Sequence, residues 1–95
     1  MDKAKIVSII SLSLQEYLES RDETADINLN TYLVGRKSVL DSIGLVNLIV
    51  DIESKLLDEG YEISLLSEKA MSQSSSPFKN IDTLSDFILE EISGQ

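Results

Sequence analysis

The chain contains no cysteine, no histidine and no tryptophan, and a single proline. Without cysteine, no disulfide can staple the fold and no thiol of its own can act as nucleophile or metal ligand. Without histidine, it lacks the side chain that most often serves as a general base near neutral pH. Basic residues are also scarce: 8 Lys and Arg stand against 17 Asp and Glu, a formal charge of −9. That balance disfavours nucleic acid and anionic lipid, whose phosphates attract basic patches. It favours partners with basic surfaces, met at rates that fall as salt rises. Taken alone, the same charge serves solubility equally well.

Long apolar runs are missing too. No segment approaches the ~20 apolar residues needed to span a bilayer. Met1-Asp2-Lys3-Ala4-Lys5 precedes an apolar stretch from Ile6 to Leu14, but Ser8, Ser11 and Ser13 interrupt it. A signal peptide needs a more uniform run and a small-residue cleavage site. A cytoplasmic protein without membrane insertion is expected. The 95 residues suit one domain, 1–95, burying about 60–65% of its unfolded surface in one modest core.

What is present is helical periodicity. Ile6, Ile9, Ile10, Leu14, Tyr17 and Leu18 recur at three- and four-residue spacing and predict a helix over 3–20. Arg21 to Asn30 carries no such stripe and reads as a loop. Ile27, Leu29, Tyr32 and Leu33 are expected to anchor it on the core. Gly35-Arg36-Lys37-Ser38 reads as a turn.

A second helix is predicted from about Ser42 to Leu57 or Asp58. Asp41 is its N-cap, since a carboxylate there accepts from the free N–H groups of the first turn. Gly60 is placed to end it in the left-handed region. Its length would be roughly 25 Å at ~1.5 Å per residue. It carries two apolar stripes: Leu45, Leu48, Ile49, Ile52 and Leu56, and beside them Ile43, Val46 and Val50. Either both are core, in a helix packed on two sides, or the second stripe stays partly exposed as a docking surface.

Further along, Tyr61, Ile63 and Leu65 alternate with polar residues and are expected to tuck inward from an extended loop. Ser67 could cap a short helix over 68–72, and Gln73 to Pro77 reads as a breaker. The last helix is predicted to start at Asp82 as N-cap, with Leu84, Phe87, Ile88 and Ile92 as its stripe. The expected fold is all-α, a small bundle of three longer helices plus one short one, and monomeric.

The chemistry concentrates at Asp41-Ser42. A serine at a helix N-terminus sits where the dipole favours negative charge by about 0.3–1 kcal/mol. As an isolated pair, Asp-Ser would be only an ordinary helix start. A catalytic role for Ser42 lacks support: no histidine can serve as its base, and no Gly-x-Ser-x-Gly elbow or phosphate-cradling glycine loop is present. Asp22, Glu23 and Asp26 lack the spacing and closing glutamate of an EF-hand and read as a solvated loop. No metal ligand set is assigned, and the protein is expected to be non-catalytic.

Val39-Leu40-Asp41-Ser42-Ile43-Gly44, with Val46, Leu48, Ile49, Ile52 and Glu53 behind it, resembles the serine helix of acyl carrier proteins. The order of elements along the chain is similar to that family's, and the Val-Leu-Asp-Ser-Ile-Gly form looks like its D-alanyl and other stand-alone branches. The resemblance implies that Ser42 bears a covalent 4′-phosphopantetheine arm, taken from coenzyme A by a phosphopantetheinyl transferase. It implies a docking role for Ile43, Val46, Asn47, Val50 and Glu53 toward acyl- or aminoacyl-loading and transferring enzymes. Gly44 and Asn47 stand where fatty-acid carriers usually have acidic residues, which favours a specialised lipid, cell-envelope or secondary-metabolite pathway. Fatty acyl, hydroxyacyl, D-alanyl and other aminoacyl cargoes all remain open. The alternative from another class is an unmodified acidic helical adaptor for a basic partner.

Overall fold

A computed structural model describes residues 1–35, 38–65 and 77–94, with the backbone alone for Ser42. Among these residues three helices form: α1 (Lys3–Ser20), α2 (Ser42–Asp58) and α3 (Ile81–Ser93). The first two coincide with the predicted spans: the apolar stripe sets α1, and stripe and cap together set α2. The expected short helix over 68–72, and most of the breaker after it, lie outside the described residues. No described helix is long and apolar enough to cross a membrane.

Each helix start is capped by a side chain. Asp2 accepts from the Lys5 N–H at 2.9 Å and opens α1, and Asp41 opens α2. The start of α3 corrects the sequence expectation. Its N-cap is Asn80, not Asp82: Asn80 accepts from the Thr83 N–H at 2.8 Å, and Thr83 Oγ1 accepts from the Asn80 N–H at 3.2 Å. This is a reciprocal capping box with threonine in the place usually held by Glu or Gln. Asp82 instead lies in the first turn, where Lys3 bridges it and Asp86. Those bonds, Asp82 first, hold the Lys3 ammonium above its ordinary pKa.

Both α1 and α2 end in the same left-handed turn. Gly60, at φ 93°, donates to Leu57 O while Tyr61 donates to Leu56 O, each at 2.9 Å. At the end of α1 the corresponding residue is Asp22, φ 58°, with Glu23 donating back to Leu18 O at 2.8 Å. Aspartate tolerates this region better than most side chains.

The core is one continuous cluster. α1 packs against both other helices, which do not approach each other closely among the described residues. Ile6, Ile10 and Leu14 of α1 meet Leu48, Ile49, Ile52 and Leu56 of α2 and Leu84 and Ile88 of α3 in it. The loop before α2 is pinned to the start of α3: Leu33 donates to Lys79 O at 2.9 Å, Ile81 to Thr31 O at 3.3 Å, and Tyr32 bridges Asn80. Leu33 is buried and Ile27 and Tyr32 are half-buried, as anchoring requires, whereas Leu29 is exposed. Leu29 still contributes through its carbonyl, which accepts from the Asp82 N–H at 3.0 Å. On the far side, Ile63 and Leu65 turn inward and close the core.

Lys55 ties α2 to α1, at 2.7 Å from Asp51 and 2.8 Å from Glu16. Partial burial opposes its charge, but the hydrogen bonds to Asp51 and Glu16 prevail and raise its pKa.

Candidate functional site

Ser42 is the first residue of α2. The segment leading to it is stitched down by short-range bonds. Ser38 donates to Gly35 O at 3.1 Å, as the turn reading requires, and Ser38 Oγ accepts from the Leu40 N–H at 2.9 Å. Val39 and Leu40 pack partly against the core. Asp41 then holds extended backbone, φ −87° and ψ −178°, and its Oδ1 accepts from the Gly44 N–H at 2.7 Å while Leu45 closes the first helical bond to its carbonyl at 2.9 Å. The cap is therefore formed as the sequence predicts, and Ser42 follows it directly.

The end of α1 lies beside this cap. Gly44 faces the Tyr17 phenol so closely that a Cβ there would fall 2.6 Å from Tyr17 Oη, 2.9 Å from Cζ and 3.1 Å from Asp41 Oδ1. No side chain fits without displacement. Arg21 stands over the Tyr17 ring, 5.7 Å from its centroid, and pairs with Glu23 at 3.1 Å. The bond to Glu23, followed by the fields of Tyr17 and Asp41, raises the Arg21 pKa further. Sequence reading does not reveal the contact of Tyr17 with Gly44: Tyr17 reads as one more member of the α1 stripe, and Gly44 only as a departure from the acidic residue usual in fatty-acid carriers.

α2 divides its apolar residues sharply. Leu48, Ile49, Ile52 and Leu56 are at most 1% exposed, whereas Ile43 is 70%, Val46 47% and Val50 57% exposed. The second stripe is therefore not core. Leu57, 59% exposed, extends the same edge. It was missed because it closes the helix, where an apolar residue reads as part of the stop. A cleft lined by Val50, Glu53, Leu57 and Ile63 runs beside this edge toward the loop after α2.

The other two residues with an expected docking role are placed differently. Asn47 is exposed on the α1 flank, in a groove with Tyr17, Ser13 and Lys55, away from the Val46–Val50 edge. Glu53 is only half-exposed, and its Oε2 accepts from the Leu65 N–H at 3.4 Å, holding the loop that buries Leu65. It has a structural task as well as any outward one. Among the described residues no group of three or more acidic side chains is gathered to hold a metal ion.

Comparison with known protein families, curated proteins and solved structures finds no match for this chain.

Proposed function

We propose that this protein is a carrier whose Ser42 hydroxyl bears a 4′-phosphopantetheine arm. The observation that carries the reading is the Asp41-capped start of α2, with Ser42 as its first residue and the exposed edge of Ile43, Val46 and Val50 beside it. The chemistry is consistent with those surroundings. A helix N-terminus favours a phosphodiester. In the loading step, the Ser42 oxygen forms a bond to the β-phosphorus of coenzyme A and the diphosphate bond breaks. The adenosine bisphosphate half leaves, and the serine proton passes to a base of the transferase. When attached, the arm supplies a thiol that holds an acyl or aminoacyl group as a thioester, a function this cysteine-free chain has no side chain to perform.

The partners of this reading are the transferase and the enzymes that load and unload the cargo. Their docking surfaces are expected to be apolar at the centre, to meet Val46 and Val50, and basic at the rim, to meet a chain of charge −9. The protein works as a monomer in the cytoplasm, where coenzyme A is at hand, and serves a specialised pathway. The exposed edge also favours a second reading, an unmodified acidic adaptor that binds a basic partner.

Intact mass after incubation with coenzyme A and a promiscuous transferase separates the two. A single phosphopantetheine adduct that disappears in Ser42→Ala is expected. The absence of any adduct with several transferases would leave the adaptor as the better account.

A further inference from the structure

We infer that Tyr17 is a positioning residue for Ser42, acting through Gly44 and the Asp41 cap, so that the last turn of α1 belongs to the modification site. The inference rests on the carrier reading of Ser42.

Glycine is a poor choice for the first turn of a helix unless something occupies the space of its side chain. Here the Tyr17 phenol occupies it, with Oη 2.6 Å from where a Cβ would stand. The same glycine donates the N–H that Asp41 Oδ1 accepts at 2.7 Å. Tyr17, the Gly44 backbone and the cap carboxylate therefore form a single contact group. Arg21 stands over the Tyr17 ring, 5.7 Å from its centroid, and pairs with Glu23. α1 ends immediately beyond, in the Asp22 turn. The phenol thus lies against the start of α2, and a side chain at position 44 must displace either the phenol or the turn.

The consequence for chemistry follows from position. Transfer to a serine oxygen requires that oxygen in line with the phosphorus, and a displacement of about 1 Å can slow such a step as much as 10²-fold. Ser42 lies between the cap residue and Gly44, so a shift of that turn carries it along. A side chain at position 44 would push the turn away from Tyr17 while leaving Val46 and Val50, further along α2, where they are.

The test changes the side chain at Gly44 and at Tyr17 in turn. Gly44→Ala should lower the kcat for modification about tenfold or more with the KM for the carrier nearly unchanged, because position and not docking is lost. Hydrogen exchange at the residue 44 amide should speed up in the same variant, reporting the weakened cap. Tyr17→Leu, which keeps an apolar side chain in the α1 stripe but withdraws the phenol from Gly44, should lower the same kcat and speed the same exchange. Wild-type and Gly44→Ala proteins modified equally fast would overturn the positioning role while leaving the carrier reading intact, and so would a Tyr17→Leu protein modified as fast as wild type. A wild-type protein that accepts no adduct would sink the carrier reading and the positioning role with it.

Discussion

The two flanks of α2 are built from the same kinds of residue and meet opposite fates. Leu48, Ile49, Ile52 and Leu56 vanish into the core, while Ile43, Val46, Val50 and Leu57 are between 47% and 70% exposed. Hydrophobicity cannot account for the difference, because isoleucine and leucine occur on both sides. What decides is the presence of a partner. The inner flank meets α1 and is closed by Leu33, Ile63 and Leu65 from the loops, whereas the described residues bring no element over the outer flank. Scattered exposed aliphatics are ordinary, but a contiguous row along one helix, beginning next to Ser42, is the kind of patch that marks an interaction site. A formal charge of −9 opposes self-association through such a row, because like-charged molecules repel.

The contrast breaks most completely on the inner flank. Ile52 is fully buried, and Ile52→Asp would place a carboxylate in a described core cluster made of apolar side chains and no cation. Burial of an unpaired charge belongs to the mechanisms that exceed about 4 kcal/mol. A chain of this length holds only about 5–14 kcal/mol in all. The variant should lose its cooperative thermal transition by far-UV circular dichroism. A melt close to wild type would mean that this flank is not the core.

A milder pair sharpens the same contrast without introducing charge. Leu48→Ala removes buried methyl groups and leaves a cavity, which costs about 2–5 kcal/mol. Val46→Ala, on the outer flank, should stay within about 0.5 kcal/mol of wild type. Urea unfolding measures both, and equal shifts in midpoint would dissolve the distinction between the flanks.

Much of this architecture is legible in the sequence, and the exceptions share a physical cause. α1 and α2 were predictable because each stripe is long and each α2 terminus carries its own signal, Asp41 at one end and Gly60 at the other. The start of α3 was misread because two cap-competent residues stand close together. Asn80 prevails over Asp82 through its box with Thr83, and through Ile81, whose burial requires it to be inside the helix. Leu29 was expected to anchor and does not, since its backbone carbonyl rather than its side chain makes the contact. The Asp41-Ser42 pair was visible as a motif, but the meaning of Gly44 was not. Periodicity describes one helix at a time, and the Tyr17 contact lies between two.

The smallest expected effect on stability is also the most informative about function. Val50 is 57% exposed, so Val50→Asp leaves its new charge hydrated and should change the unfolding free energy by no more than about ±0.5 kcal/mol. Val46→Asp should behave in the same way, with a somewhat larger shift because Val46 is 47% exposed. Each substitution nonetheless puts a carboxylate where a partner would bury apolar surface, and desolvating it there is unfavourable. The rate of Ser42 modification, measured on samples with unchanged melting curves, should therefore fall, chiefly through a higher KM, since docking and not the position of Ser42 is affected. That signature is the opposite of the one expected for Gly44→Ala. If both valine variants are modified at the wild-type rate, the exposed edge does not meet the transferase. Contact would then have to be sought on the α1 side, around Tyr17 and Asn47.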